Sequence, residues 1–315
     1  MHITVLPYEA VDALKIKSDG VYVDGTFGYG GHSRLILERL NRNGRLFAFD
    51  KDLSVVHKGQ TIKDKCFHIT HSSFSRMRRE LQKLGVNRVD GILLDLGVSS
   101  LQLEDTSRGF SFQINGPLDM RMDTSQGQSA AEWIASVSEA NLREVIKNYG
   151  EERFAKQIAR AIVATRARQP IVTSFQLAEI VAKAVRSRKQ NQNPATRTFQ
   201  AIRIYLNQEL EELSLSLPQC VELLKPGGRL VIISFHSLED RIVKRFMRSS
   251  ANPDLYPRRL PIRDKEMQCS NSQKLQLVGK AMRPTESEII SNPRARSAVM
   301  RVAERTNTDS NTDSF

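Results

Sequence analysis

Residues 21–33, VYVDGTFGYGGHS, constrain the fold of this chain more than any other stretch. The first three are typical of a buried strand, Asp24 ends that run, and four glycines follow between positions 25 and 31. Glycine permits a tight backbone turn close to a ligand. The stretch therefore predicts a strand, a cofactor-binding loop and a helix, although an ordinary strand-to-helix loop is the simpler alternative for one glycine-rich turn.

Acidic residues end two further predicted strands. Residues 45–49 predict a second strand that ends at Asp50, about 20 residues after the glycine turn, where doubly wound folds place a carboxylate that binds a ribose. Residues 89–94 form an apolar run, typical of a central parallel strand, that stops at Asp95. Since ligands bind at the carboxyl ends of such strands, we expect Asp24, Asp50 and Asp95 to share one crevice. A cap for the following turn is the simpler interpretation of Asp95.

Strand and helix patterns alternate through the first hundred residues and return near the C-terminus. A third strand is predicted at 66–70, the strand pattern resumes at 229–235 after a turn at 225–228, and a last strand is predicted at 298–302. Amphipathic helices are predicted between these parts, at 138–149, 152–167 and 174–188.

The fold class that follows is α/β, a Rossmann-like sheet with an inserted all-helical domain. We predict a discontinuous core of residues 1–104 and 203–305, a helical insertion of residues 105–202 that recognises the substrate, and a disordered polar tail of residues 306–315.

The chain is strongly basic, with 47 Lys and Arg against 35 Asp and Glu and a formal net charge of +12. Such a surface attracts polyanions, since phosphate contacts by Lys and Arg give sequence-independent affinity for nucleic acids. A solvated helix face is the simpler explanation for any one of these basic residues, but the number of basic residues taken together favours a surface that binds RNA or DNA. The basic residues in question are Arg153, Lys156, Arg160, Arg166, Arg168, Arg186, Arg188, Lys189, Arg258, Arg259, Arg294, Arg296 and Arg301.

Cysteine usage and the N-terminal sequence bear on the compartment. Cys66, Cys220 and Cys269 form no CxxC pair, so neither a disulfide framework nor a metal site is predicted. The first residues carry no signal-peptide pattern, and no apolar run approaches the length of a membrane span. We expect a cytoplasmic protein that makes no membrane contact.

The glycine spacing departs from the dinucleotide fingerprint GxGxxG, because Ser33 stands where the third glycine would be. An acidic residue before a glycine-rich loop, together with the sequence LKPGGRL at 224–230, resembles the class I S-adenosylmethionine-dependent methyltransferases. An NAD-dependent oxidoreductase is an alternative that the missing glycine and the basic insertion argue against.

Within that superfamily the chain resembles the MraW/RsmH family, bacterial enzymes that methylate the 4-amino group of a cytosine in small-subunit ribosomal RNA. The resemblance implies S-adenosyl-L-methionine as cofactor and small-subunit ribosomal RNA, or the small ribosomal subunit, as partner. A non-catalytic RNA-binding or assembly protein with a vestigial pocket is a second alternative, and the oligomeric state stays open, a dimer included. The motifs that carry the resemblance are residues 2–6, 24–33, 93–100, 108–112, 116–123, 149–154, 194–200, 234–244 and 292–297.

The resemblance also implies site residues. Gly30, Gly31 and His32 would contact the cofactor, Asp50 its ribose and Phe74 its adenine, while Asp95 and Gln102 would bind its remaining polar edges. A helix-capping role is the alternative for His32.

Asp95 is also the predicted catalytic residue, as the acceptor for the reacting amine. Related amino-methyltransferases follow this acidic residue with Pro-Pro-aromatic, which residues 96–98 lack. We therefore expect the base to stack on Phe110, Phe112 or the loop 120–122. The remaining candidates for substrate binding or proton handling are Asp119, Arg121, Asp123, His236 and Glu239.

Overall fold

Seven strands form one sheet in the computed structural model, which describes residues 4–185, 193–252 and 273–307. Their order across the sheet is β3-β2-β1-β4-β5-β7-β6; β7 runs antiparallel to β5 and β6, and the other neighbours are parallel. The strands are β1 (Val21–Asp24), β2 (Arg45–Asp50), β3 (Phe67–His71), β4 (Val89–Asp95), β5 (Leu224–Ser234), β6 (Leu275–Leu277) and β7 (Val299–Arg305).

The helices, in chain order, are α1 (Pro7–Ala13), α2 (Gly31–Leu37), α3 (Leu53–Gly59), α4 (Met77–Lys83), α5 (Ser100–Glu104), α6 (Ala130–Ser136), α7 (Glu139–Gly150), α8 (Ala155–Arg166), α9 (Ser174–Ala184), α10 (Thr196–Asn207), α11 (Glu209–Leu223), α12 (Ser237–Ala251) and α13 (Glu286–Ser291). Within the described ranges, none is long and apolar enough to cross a membrane.

Both faces of the sheet carry a buried core, which explains the unbroken apolar run of β4. Successive side chains of a strand point to opposite faces. Leu93 and Ile233 accordingly belong to the cluster that includes Tyr22. Leu94 belongs to the cluster on the other face. The α/β fold predicted from the sequence is confirmed.

Strand β5 begins earlier than predicted. The sequence predicts a turn at 225–228 and a strand from Arg229, whereas the strand starts at Leu224. Its pairing with β4 shifts register, since Val89 pairs with Leu224 and Gly91 with Arg229. The Lys-Pro-Gly-Gly segment is therefore a bulge inside the strand, and Gly227 takes a positive φ of 76°.

The chain divides into two compact units, residues 1–97 with 210–315, and residues 98–209. The boundaries lie seven residues outside those predicted for the insertion, at 98 instead of 105 and at 209 instead of 202. Helix α10 explains the later boundary. The buried Asn207 side chain accepts from the Met122 N–H at 2.7 Å and donates to the Met120 carbonyl at 2.8 Å, which holds the end of α10 within the helical unit.

The helical unit has its own apolar core, to which α6 to α10 each contribute. Trp133, Ile146, Ile158, Leu177 and Phe199 represent the five helices there. Helix α9 ends at Ala184, earlier than the predicted 188.

Several sequence predictions fall outside the described residues: Arg186, Arg188, Lys189, the basic pair 258–259, Cys269 and most of the polar tail. The short β6 was not predicted at all.

Candidate active site

The carboxyl ends of β2, β1 and β4 lie side by side, because β1 is paired on both edges. Asp24 is in register with Ala48 of β2 and Leu93 of β4. Asp50 and Asp95 end those two neighbours. The predicted grouping of the three carboxylates at one edge of the sheet follows directly from this strand order.

The glycine turn after β1 needs residues without a side chain at two positions. Gly30 has a φ of 72°, which side chains disfavour, and a Cβ there would lie 2.7 Å from the Phe27 ring. A Cβ on Gly31, the first residue of α2, would overlap the side chain of Thr4. The two glycines therefore let the turn pack tightly against Phe27 and Thr4.

Asp50 is half-buried and held by the main chain. Its Oδ2 accepts from the Gly28 N–H at 2.9 Å, and its Oδ1 accepts from the Asp52 N–H at 2.9 Å. Each oxygen keeps a second lone pair, so the carboxylate can also accept from a diol. Burial, with a smaller effect from the charges of Asp52 and Asp24, raises the pKa of Asp50 to about 6 against these hydrogen bonds.

Asp24 is a structural acid. Its side chain is fully enclosed, accepts from the Ser33 hydroxyl at 2.6 Å and from the Thr26 N–H at 3.2 Å, and so ties the end of β1 to the start of α2. Burial raises its pKa to about 6.

Asp95 differs from both of the other acids. Its N–H donates to the Thr26 hydroxyl at 2.6 Å, which fixes the main chain. Its Oδ1 is enclosed, yet no group in the described part of the chain donates to it. Burial, and then the negative charges of Asp24 and Glu239, raise the pKa of Asp95 well above its ordinary value. An acceptor with these properties is suited to taking a proton from a ligand.

His32 lies beside Asp95 in a buried position. Its Nε2 is 3.1 Å from the Val5 carbonyl and its Nδ1 is 3.7 Å from Asp95 Oδ2. Because a carbonyl only accepts, the hydrogen of neutral His32 is on Nε2 and Nδ1 faces the carboxylate as an acceptor. The predicted cofactor contact of His32 stays a prediction, as does the role of every other predicted site residue.

Phe74 opens a short 3₁₀ helix that is separated from the end of β3 by two residues. A Cβ on Gly25 would lie 3.2 Å from the Phe74 Cβ, so the phenylalanine stands against the first residue of the glycine turn. This position suits the predicted adenine contact.

The segment after β5 presents Phe235 and His236. Glu239 is buried, and its Oε2 accepts from the Phe235 N–H at 2.8 Å. Its Oε1 is 3.2 Å from His236 Nε2, and the Glu239 N–H in turn donates to His236 Nδ1 at 3.4 Å. The half-buried His236 therefore caps α12. The sequence predicts His236 and Glu239 as candidate site residues, whereas it predicts Phe235 only as the last residue of a strand.

The other predicted residues belong to the helical unit and have structural partners there. Gln102 is buried, and its side chain accepts from the Ser99 N–H at 3.0 Å in a capping box. The Phe110 ring is buried, 5.8 Å from the Arg108 guanidinium. The Phe112 ring meets Phe199 edge-on at 5.4 Å between ring centroids.

Asp119 and Arg121 form a two-point ion pair within their loop. Arg121 Nε and the second nitrogen Nη2 lie 2.8 and 2.7 Å from the two carboxylate oxygens. Although burial works in the opposite direction, these bonds hold the pKa of Asp119 below its ordinary value. The pair orders the 119–123 loop, where the Asp123 carboxylate accepts from the Ser125 N–H.

The unit that carries Asp95 fits a cofactor with a diol and a positive charge. The glycine turn is tightly packed beside the strand ends, Asp50 offers free lone pairs, and Asp95 carries an oxygen without a donor. With the 3-2-1-4-5-7-6 strand order and its antiparallel β7, these features define a Rossmann-like class I methyltransferase.

Comparison with known proteins narrows the class to a family. Residues 1–306 match the MraW methylase family, so the chain belongs to that family, whose cofactor is S-adenosyl-L-methionine. Over 309 residues it is 66% identical to ribosomal RNA small subunit methyltransferase H of Nitrosospira multiformis, with 98% of each chain covered. It is 63% identical to the protein of the same name from Nitrosomonas europaea, covering 99% of this chain and 100% of the relative.

Proposed function

We propose that this methyltransferase transfers the methyl group of S-adenosylmethionine to the exocyclic 4-amino group of a cytidine in small-subunit ribosomal RNA. The unpartnered, buried Oδ1 of Asp95 at the end of β4 is the observation that carries the proposal. The choice of cytidine N4 rests on the family resemblance stated from the sequence.

Charge and the names of the relatives support RNA as the substrate. Both curated relatives are named for modification of small-subunit ribosomal RNA. The net charge of +12 favours a polyanionic partner. Exposed cations on α7, α8 and the segments that border α8 can neutralise phosphates. They are Arg143, Lys147, Arg153, Lys156, Arg160 and Arg168.

The cytosine amino group is a weak nucleophile, because its lone pair is delocalised into the ring. S-adenosylmethionine supplies an electrophilic methyl group on a positively charged sulfur. The amine attacks this methyl carbon and displaces the sulfur. Asp95 can accept a hydrogen bond from the amine, which draws it towards tetrahedral geometry and stabilises the positive charge that develops on nitrogen. Most of the remaining rate enhancement comes from alignment of the two reactants.

The methylated nitrogen must then lose a proton. Asp95 can accept it on its carboxylate, which is 23% exposed, and its raised pKa strengthens that proton affinity. His32 Nδ1, 3.7 Å from Asp95 Oδ2, is the next nearby group that can accept a proton. The step leaves a neutral methylamine and a protonated Asp95.

Three residues would hold the cofactor. Asp50 would accept from the ribose hydroxyls with its free lone pairs, the turn at Gly30 would allow close approach of the backbone, and Phe74 would contact the adenine. A base inside folded RNA must be unstacked before it reaches Asp95.

Nucleoside mapping by mass spectrometry tests the proposal. Small-subunit ribosomal RNA is compared from cells that contain the protein, cells that lack it, and cells that carry only Asp95→Ala. We expect N4-methylated cytidine to be lost at one position in the second and third strains. An unchanged nucleoside profile contradicts the substrate assignment, and a profile restored by Asp95→Ala contradicts the role of Asp95.

A further inference from the structure

Residues 96–98, Leu-Gly-Val, carry no aromatic side chain that could stack on a base beside Asp95. We infer that Phe235, from the neighbouring strand end, is the platform on which the substrate base stacks. The inference rests on the proposed function and specifies its ligand as a planar base with an exocyclic amine.

Strand register brings Phe235 next to the chain that continues β4 beyond Asp95. Asp95 pairs with Ile233, and the Leu96 N–H donates to the Ile233 carbonyl at 3.0 Å. Continuing both strands by two residues sets Gly97 beside Phe235. Since alternate residues share a face, Phe235 lies on the same face as Ile233, with which it packs in one cluster.

Gly97 leaves room over this aromatic ring. A Cβ added at Gly97 would lie 3.7 Å from Phe235 Cδ2, so the side-chain position that glycine leaves empty is next to the ring. Gly97 also takes a φ of 91°, which strongly favours glycine. Phe235 is only half-buried, so part of the residue is accessible to a ligand.

The main chain of Phe235 is fixed by Glu239. The 2.8 Å bond from the Phe235 N–H to the buried Glu239 carboxylate anchors the start of the segment at the N-terminus of α12. Its ring packs on the Ile233 cluster, and a platform held in this way loses little entropy when a base binds.

A purely structural role for the ring is the competing explanation, and steady-state kinetics separate the two. Phe235→Leu keeps an apolar side chain but removes the aromatic surface, whereas Phe235→Tyr keeps the surface. Phe246→Leu is the matched control, because Phe246 is also a half-buried phenylalanine. It lies on α12 and packs against the core on the other face of the sheet.

Stacking of a base on an aromatic side chain predicts that Phe235→Leu lowers kcat/KM for RNA on the order of 10- to 100-fold. We expect S-adenosylmethionine affinity and melting temperature to match those of Phe246→Leu, and Phe235→Tyr to retain activity. The inference is overturned if Phe235→Leu loses no more activity than the control, or loses cofactor affinity in proportion to turnover.

A binding measurement keeps the inference testable even if the protein methylates another substrate. Indole fluorescence of Phe235→Trp is followed while a cytidine-containing single-stranded RNA is added in the presence of S-adenosylhomocysteine. Phe246→Trp serves as the control. Both variants keep the native Trp133, so its fluorescence contributes equally to the two signals. Quenching confined to Phe235→Trp supports the platform even if nucleoside mapping contradicts the proposed function, and its absence overturns the platform even if the mapping agrees.

Discussion

The imidazole of His32 bridges the main chain of Val5 and the carboxylate of Asp95. Its two nitrogens lie 3.1 Å from the Val5 carbonyl and 3.7 Å from Asp95 Oδ2. The N-terminal segment thus sets the ring orientation that decides which nitrogen faces the acid.

His32→Asn is expected to lower kcat for methyl transfer by roughly 10-fold or more, since the variant removes a proton acceptor behind Asp95. Affinity for S-adenosylmethionine should change less than kcat. His68→Asn, on an exposed position of β3, is the control and should leave both unchanged. Equal losses in kcat and cofactor affinity would place His32 at the cofactor instead.

Asp95→Ala and the isosteric Asp95→Asn should abolish methyl transfer while leaving RNA binding nearly intact. In the wild-type protein, activity should fall as the pH drops through the raised pKa of Asp95, because the protonated acid no longer accepts from the amine. That acid limb should lie above the ordinary aspartate range near pH 4. A pH–rate profile and a filter-binding assay measure these effects, and near-normal turnover of either variant rules out the assignment.

Asp50→Ala should weaken S-adenosylmethionine binding by roughly 10- to 100-fold, as expected for the loss of hydrogen bonds to a charged group. Titration calorimetry measures the change. Asp64→Ala removes an exposed carboxylate that accepts from the Cys66 N–H, and it should bind the cofactor normally. Unchanged affinity in Asp50→Ala would show that the ribose is held elsewhere.

Asp24 should make the protein less stable as the pH rises. Its pKa is about 6 when folded, against about 4 in an unfolded chain, so the folded state binds the proton more tightly. As the pH rises from about 4 to about 6, the free energy of unfolding should therefore fall by on the order of 1 to 3 kcal/mol. Denaturant titrations across this range should show a smaller fall for Asp24→Asn. If the free energy of unfolding depends on pH equally in the wild-type protein and in Asp24→Asn, the raised pKa of Asp24 is contradicted.

Asn207→Ala should destabilise the helical unit by about 2 to 3 kcal/mol, because it leaves buried main-chain groups of Met120 and Met122 without partners. Hydrogen exchange resolved by segment should show the loss in residues 98–209. The exposed Asn148 provides the control substitution, Asn148→Ala. Protection equal to that of the control would mean that water replaces the lost bonds.

The sheet could be predicted because its central strands are chemically distinctive. The apolar run of β4 is long enough to be recognised, and Asp24, Asp50 and Asp95 mark three strand ends. The three residues of β6 form too short a pattern to be separated from a loop. The sequence predicts a turn where β5 has its bulge, because a glycine such as Gly227 indicates a local bend equally well in a turn and in a bulge.

The candidate site was harder to predict than the fold, since residue type does not reveal a partner. Asp24 and Asp95 look alike in sequence, yet Asp24 accepts two hydrogen bonds while Asp95 Oδ1 receives none. Phe235 becomes recognisable only through its register with Gly97. A small residue opposite an aromatic in adjacent strands is the signal that could have pointed to it.

The adjacency of β4 and β5 has a consequence for how the protein assembles. Asp95 and Ile233 pair although they are 138 positions apart (233 minus 95). Contacts of such long sequence separation slow folding, because the loop-closure entropy of the intervening chain opposes them. During synthesis, β1 to β4 emerge long before β5. Asp95 therefore lacks its strand neighbour until residues 98–209 of the helical unit have been synthesised. The ligand-binding edge is therefore among the last parts of the molecule to be completed.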